Sequence, residues 1–529
     1  MLRRHALTLL SAALLGIANP AAAQLQASPP ASMTTPLPIP VTDALRAAAI
    51  PEDAVSVLVL RGDKTVLSHL ADRPLHPAST MKLVTTLIAL EQLGPVFRGR
   101  TEMRSTGEVK GDVLHGDLVL RGGADVDLST ETLTTMLRAL RYQGIRTIAG
   151  NLVVDRTLFN PARADLGVPP FDEAPEAYYN AIPDALFVNR NMLQLDIRST
   201  PRLDGKPATR VRVAMQPELD GVTVDTDMKL VDADCATWEN GWKIPEAVPR
   251  PGGGIKVVLH GTFPKNCVAS ESINVIDRQE YVARLVRRLW KTLGGIITGT
   301  AVEGATPPGA RLLAEHVSRP LPEVIRDINK PSDNTLARLL FLSLGALEPD
   351  PVLGSHPQPA TSGTPGTALA TLARSEAVVR AWMRTHGIDD TGFVVENGSG
   401  LSRIESITPI QMAGLLQAGL RSNWAPELQA SMPIAAVDGT MRRRLHDSPA
   451  ANRARLKTGT LSNAAALAGY VPDADGRQCV LVAFVNSDRV SNGRGRAVLD
   501  ALVDWVARLD GTPSAVPAVT NAANGTATP

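Results

Sequence analysis

The stretch LHPASTMKLVTTLIAL, residues 75–90, sets a serine and a lysine three positions apart at the head of a segment that is otherwise almost wholly apolar. Residues i and i+3 share a helix face, so Ser79 and Lys82 stand side by side. The serine falls where the first turn of a helix leaves backbone N–H groups without partners. A hydroxyl there is placed to attack a carbonyl. Met81, Leu83, Val84, Leu87, Ile88 and Leu90 leave the helix little polar surface, and Lys82 reaches water only where a cleft opens beside it. Ser-x-x-Lys alone is a weak signal, because an exposed serine next to a lysine that snorkels to solvent also satisfies it. The apolar surroundings give it weight.

Two further short motifs follow in order. NKPSDNTLARLL carries Ser332, Asp333 and Asn334 directly before a helix, and ARLKTGTLSNAAALAGY carries Lys457, Thr458, Gly459 and Thr460 at the start of a strand. Read singly, Ser332 or Asp333 is a helix N-cap, and KTGT is a polar strand entry with a glycine for close backbone approach. The three motifs in this order within one exported chain are read together as one site.

Export is read from MLRRHALTLLSAALLGIANPAAAQ, where a basic start, an apolar run and a small-residue ending at Ala23 give residues 1–23 the layout of a secretory signal peptide. Residues 24–40 form a Pro-rich linker and 511–529 a small-residue tail; neither is expected to fold. No later segment reaches the roughly 18 apolar residues of a spanning helix, so a periplasmic protein without a membrane span is expected. At 529 residues and 44% hydrophobic content the chain has room for two or three domains. Its 54 Lys and Arg nearly cancel 53 Asp and Glu, leaving no field that favours nucleic acid.

Residues 54–61 and 65–71 read as a hairpin leading into the helix of the opening stretch, and 464–471 with 478–486 as a second hairpin followed by a helix at about 493–509. Between them the pattern changes to short strands and turns, with helices near 131–143 and 278–293. We therefore expect a domain built from 41–105 plus 306–510, interrupted by an insertion over 106–305. The Pro/Gly-rich stretch at 348–366 is expected to be a surface loop. Export permits disulfides. Cys235 and Cys267, both in the insertion, are taken as a pair and Cys479 as a core thiol. No metal-ligand spacing is present, so no metal is expected.

Ser-x-x-Lys, Ser-Asp-Asn and Lys-Thr-Gly in this order resemble the signature of the serine penicillin-binding proteins and serine β-lactamases. About 250 residues separate Ser79 from Ser332, far more than in a class A β-lactamase. That spacing resembles the class C low-molecular-mass penicillin-binding proteins, the D-alanyl-D-alanine carboxypeptidase/endopeptidase family. LRGGADVDLS (120–129), LFVNRN (186–191), ENGSGLSR (396–403) and VDGTMRRR (437–444) extend the likeness, with Ala124 and Val126 departing from the family's usual residues. The arginines of the last stretch read as a solvated basic turn.

The resemblance implies an α/β (α+β) fold, an antiparallel sheet with helices on both sides that carries a large inserted α/β region. It implies hydrolysis of D-Ala-D-X bonds in peptidoglycan stem peptides through a Ser79 acyl-enzyme, and acylation by β-lactam antibiotics. Lys82 is then the base, Ser332 relays a proton, and Asn334 orients Lys82 and the substrate amide. Backbone N–H groups of Ser79 and Thr460 form the oxyanion hole, and Lys457, Thr458 and Thr460 hold the terminal carboxylate. No cofactor is required. Asp172, or failing it Glu173, matches a carboxylate that contacts the diaminopimelate amine. Two rivals stand beside this reading. A serine β-lactamase of class A would need a Glu-x-x-Leu-Asn stretch, and none lies between Asn334 and Lys457. A silent peptidoglycan-binding scaffold would have no need of a buried basic lysine.

Overall fold

The computed structural model describes residues 34–201, 208–358 and 370–510. The expected signal peptide and small-residue tail lie outside them. The chain enters through helix α1 (Ile39–Ala48), runs through the hairpin β1 (Val55–Arg61) and β2 (Lys64–His69), and turns into α2 (Met81–Leu93). It then builds the strands β3 (Arg100–Ser105), β4 (Leu118–Gly123), β5 (Leu152–Asp155), β6 (Ala301–Glu303) and β7 (Arg311–Val317), with α3 (Thr130–Tyr142) and α4 (Arg278–Thr292) between them. Helices α5 (Leu321–Asn329), α6 (Asn334–Leu344), α7 (Thr371–Thr385) and α8 (Pro409–Arg421) lead back to β8 (Arg455–Leu461), β9 (Ala464–Pro472) and β10 (Gln478–Asn486). Helix α9 (Arg494–Ala507) closes the chain.

The first and last strands make one antiparallel sheet in the order β2-β1-β10-β9-β8. Its central strands are covered on both faces, because side chains alternate across a strand and both faces meet helices. Ala466, Ala468, Tyr470, Val482 and Phe484 join the core of α2, α5, α6 and α8. Leu467, Val471, Leu481, Ala483 and Val485 join α1 and α9. This explains the unbroken apolar run of each strand, which a half-exposed strand would interrupt every second residue. Strand β8 lies at the edge. The segment that follows Lys457 is therefore free on one side.

The second five-stranded sheet has the order β6-β5-β4-β3-β7 and its own buried cluster, separate from the first. Strands β3 and β7 pair antiparallel, Arg100 opposite Val317 through Ser105 opposite Arg311. The entering and leaving strands thus close one sheet, and the inserted unit is wider than the expected 106–305, since both flanking strands belong to it. Two further expectations are corrected. The end of the Pro-rich stretch folds: Thr35 pairs with Ser68, Leu37 is buried, and α1 begins at Ile39 within residues 24–40. Proline suits the first turn of a helix, where its missing N–H would have no partner. Within 348–366, Leu347–Asp350 and Gly354–Pro357 form a two-stranded hairpin. Positions 359–366 of that stretch lie outside the described residues.

Among the described residues, no helix is long and apolar enough to cross a membrane. Cys235 and Cys267 are joined in a disulfide within the inserted unit, their Cα atoms 5.3 Å apart, and Cys479 is a buried free thiol in β10. The bridge closes a loop of 32 residues, and loop-closure entropy assigns it roughly 2–4 kcal/mol. Reduction or a double Cys→Ala change should lower the unfolding temperature of the inserted unit, followed by calorimetry, while leaving reactivity at Ser79 within about twofold, because the two sheets have separate cores.

Candidate active site

Ser79 sits in a single 3-10 turn, Ala78–Thr80, that runs straight into α2. Ala78 has φ 43°, a left-handed conformation that strains a non-glycine residue. Two glycines press on this turn. A Cβ at Gly400 would lie 2.7 Å from Ser79 N, and one at Gly459 would lie 2.9 Å from the same atom. Neither position has room for a side chain. The backbone of β8 and the 396–400 turn thereby grip the serine from two sides.

One helical turn on, Lys82 is fully buried. Its Nζ lies 3.0 Å from Ser79 Oγ, 2.6 Å from Asn334 Oδ1, and within hydrogen-bond reach of the Ser399 carbonyl. Two of these three partners are carbonyl oxygens, which only accept. A neutral amine has two N–H bonds and one lone pair. With both N–H groups donated to Asn334 and Ser399, the lone pair falls on Ser79. Burial pushes the ammonium down to about 7, against the opposing pull of Asp333 and Glu405; Arg338 adds a smaller lowering effect. The amine is therefore partly neutral near neutral pH.

Ser332 precedes α6 with φ 69°, a second strained non-glycine position. Its Oγ accepts a hydrogen bond of 2.8 Å from Lys457 Nζ, which also donates to Thr458 O at 2.8 Å. Lys457, on edge strand β8, is fully buried, and burial first and Lys82 second hold it well below the ordinary lysine range. Both lysines are lowered mainly by desolvation. Repulsion from Lys82 is the smaller effect at Lys457. Thr458 Oγ1 donates to Thr440 Oγ1 at 2.7 Å, so the VDGT turn flanks β8. Arg444 is not solvated: it is buried and paired with Asp500 at 2.7 Å.

The three motifs thus meet around Ser79, although 253 and 378 positions of chain separate it from Ser332 and Lys457. Beside them runs a cleft of about 850 Å³ whose walls include Asn334, Thr460, Arg403, Asp172 and Tyr179. Asp172 accepts hydrogen bonds from Tyr179 Oη (2.8 Å) and Asn180 Nδ2 (2.7 Å). Those bonds outweigh its partial burial and hold its carboxyl below the usual range. Arg403 stacks on Phe171 at 4.5 Å. Glu173 is exposed and does not line the cleft.

Reading by motif missed the groups that fix the motifs. Asp333 caps α6 through Oδ1, 2.9 Å from Leu336 N, while its Oδ2 accepts from Tyr178 Oη and from Arg190 Nη1, the latter at 2.9 Å. Burial and Asp333 raise the Tyr178 phenol, which stays a donor. Arg190 falls in the quoted LFVNRN stretch, in a run of three left-handed residues, Asn189 to Asn191. In the sequence only the two asparagines flanking Arg190, a residue type that tolerates this conformation, hinted at a constrained position.

A hydroxyl beside a buried amine, under the N-terminal end of a helix and next to an edge strand, defines a serine acyl-transfer site on a sheet-and-helix scaffold. The chain belongs to the D-Ala-D-Ala carboxypeptidase 3 (S13) family, which it matches over residues 41–509, and is accordingly a serine-type D-Ala-D-Ala carboxypeptidase. Similar proteins include a D-alanyl-D-alanine carboxypeptidase of Actinomadura sp. (strain R39), 29% identical over 480 residues that cover 87% of this chain and 82% of the relative. The D-alanyl-D-alanine carboxypeptidase DacB of Haemophilus influenzae is 27% identical over 420 residues, 77% of this chain and 80% of that one. The crystal structure of penicillin binding protein 4 from the same organism has the same fold, with a TM-score of 0.72 at 23% identity over 89% of this chain and 100% of that chain. A second structure of that protein is a complex with a β-lactam.

The clamp on Asp333 is open to test. Arg190→Ala removes one of two donors to Oδ2, a charge-assisted bond of roughly 1.5 kcal/mol. Acylation of Ser79 should slow about five- to tenfold with the melting temperature nearly unchanged, and Arg190→Ala with Tyr178→Phe should slow it further. Unchanged stopped-flow acylation in the double variant would show that Asp333 needs no clamp.

Proposed function

We infer that this chain is an exported D,D-peptidase of the periplasm, which removes terminal D-alanine from peptidoglycan stem peptides and also cleaves D-Ala-diaminopimelate cross-links. The observation that carries this reading is the lysine geometry: Lys82 Nζ lies 3.0 Å from Ser79 Oγ with its other contacts confined to acceptors. Neutral Lys82 takes the proton of Ser79 as Oγ attacks the carbonyl carbon of the penultimate D-Ala. The oxyanion that forms is held by the N–H groups of Ser79 and Thr460, a term of about 3 kcal/mol or more per donor. Lys457, Thr458 and Thr460 bind the free carboxylate of the residue that leaves. Ser332, hydrogen-bonded to Lys457, relays the proton that Lys82 took from Ser79 to the departing amine, giving up its hydroxyl proton as it receives that one. The C–N bond breaks to leave the acyl-enzyme and a neutral Lys82. Water attacks the ester and the proton returns to Ser79.

Both activities use one acyl-enzyme, because a cross-linking diaminopimelate presents the same carboxylate as a terminal D-Ala. Penicillins carry a strained amide and a carboxylate in the same relation, which is the basis for acylation of Ser79. The complex of the Haemophilus influenzae protein with a β-lactam supports this extension to the present chain. Asp172, held charged on the cleft wall, is the anion that meets the diaminopimelate amine on the acyl side.

Benzylpenicillin should add one drug mass to the intact protein, on the peptide containing Ser79, and Ser79→Ala should add none. The second-order acylation rate should fall about tenfold per pH unit below about 7 and level off above it, since Lys82 must lose its proton to act. Lys82→Arg, which cannot become neutral, should lose the reaction by orders of magnitude. Equal labelling of Ser79→Ala would refute the assignment of the nucleophile.

Asp172→Asn should lower turnover of diaminopimelate peptides by about tenfold, the weight of one charge-assisted hydrogen bond, and leave penicillin acylation unchanged. Equal loss toward both substrates, measured by D-alanine release and by penicillin labelling, would remove the recognition role.

A further inference from the structure

Glu405 is a carboxylate 1% exposed, deeper in the protein than any step of the reaction requires. Its Oε1 accepts hydrogen bonds from three successive backbone N–H groups, Glu396 (3.1 Å), Asn397 (3.0 Å) and Gly398 (2.9 Å). Consecutive N–H groups turned onto one oxygen form an anion nest. Its Oε2 is buried with no hydrogen-bond partner in the structure. The nest is one half of a turn whose other half faces the reaction. Gly398 O accepts from Thr85 Oγ1 at 2.7 Å, and Ser399 O accepts from Lys82 Nζ. Asn397 Oδ1 ties down Ser399 N at 3.0 Å, and Gly400 packs on the Ser79 turn.

Without a fixed Ser399 carbonyl, Lys82 keeps only Asn334 as an acceptor, and its lone pair is free to rotate away from Ser79. We propose that Glu405 is a positioning residue for the general base: its carboxylate clamps the 396–400 turn, so that the Ser399 carbonyl aims Lys82 at Ser79. Its negative charge also bears on that lysine, after burial and Asp333. The charged groups that bear on the pair are Asp333 ahead of α6, Arg338 on α6, Glu396 in the turn and Lys457 on β8. Arg338 opposes Glu405 at Lys82, and Glu405 in turn acts on Arg338. Burial raises the Glu405 carboxyl even against its three N–H donors. This inference rests on the reading of Lys82 as the base.

Glu405→Gln keeps the shape and an acceptor oxygen for the nest but removes the charge. An opposite charge favours the protonated lysine, so its loss should shift the acid limb of the acylation profile toward lower pH, by roughly one unit. The neutral acceptor holds the turn less firmly, and the plateau rate should fall about tenfold. Glu405→Asp retains the charge and withdraws it from the nest by one methylene, so its plateau should fall while its acid limb stays near that of the wild type. Penicillin acylation is followed across pH 5–9 in all three proteins, with thermal unfolding measured alongside. A Gln variant with an unmoved acid limb, or one slowed equally at every pH, overturns the proposal. Should the Gln variant not fold, an Asp variant with a wild-type plateau overturns it. A wild-type protein that penicillin does not acylate would instead defeat the reading of Lys82 on which this inference stands.

Discussion

The arrangement depends on keeping one ammonium out of water. Every residue of α2 from Met81 to Leu90 is buried, Lys82 with them. Removing such a group from water costs several kcal/mol even after relaxation, and the structure offsets this in two ways. Three acceptors surround Nζ, and two carboxylates, Asp333 and Glu405, act on it from outside the contact shell. The balance falls near neutrality: enough desolvation to release the proton, enough negative charge to stop the lysine from being neutral at all pH. A second buried lysine, Lys457, has no carboxylate among its resolved influences and is pushed further down. On the proposed mechanism, the substrate's carboxylate would supply the counter-charge that Lys457 lacks.

The inserted unit is bound into this balance. Its residues Tyr178 and Arg190 hold Asp333, and Asp172 stands on the cleft wall. The segment that carries Asp172 and Tyr178 is anchored by two buried ion pairs, Arg156 to Asp184 at 2.8 Å and Arg278 to Asp184 at 3.1 Å, and by a partly exposed one, Arg163 to Asp277 at 2.6 Å. Breaking such a pair by removing one partner leaves an uncompensated charge. The loop consequently behaves as a fixed wall, and the chemistry of the first sheet is set partly by a unit with its own core.

The helices and hairpins of the first sheet were legible because burial on both faces writes continuous apolar runs, and the motifs were legible because each is local. Asn334 beside Lys82 was expected from the family resemblance, and the two lie 2.6 Å apart. Tyr178, Arg190 and Glu405 were not legible, for a physical reason: their partners lie far away in sequence or are backbone atoms. Arg190 meets Asp333 across 143 positions, and Glu405 bonds to N–H groups that carry no side-chain identity. Composition misled at the Pro-rich entry, where prolines that suit a helix start were read as a linker, and at 347–357, where a hairpin stands in a Pro/Gly-rich run.

Backbone strain sits at two places in the motifs, Ala78 before Ser79 and Ser332 itself. Left-handed conformations at such residues cost roughly 1–3 kcal/mol each and persist only where packing over-determines them. At Ala78 the over-determination is visible: Gly400 and Gly459 lie against the turn so closely that a methyl group on either would overlap backbone. At Ser332 it comes from Asp333, which caps α6 with one oxygen and takes Tyr178 and Arg190 on the other. The strained turns are thus held by the same contacts that position Lys82 and Lys457, so loosening either turn changes both the path of the backbone and the electrostatics of the lysines. Geometry and protonation at this site are one constraint, which is why the residues that secure it reach well beyond the three motifs.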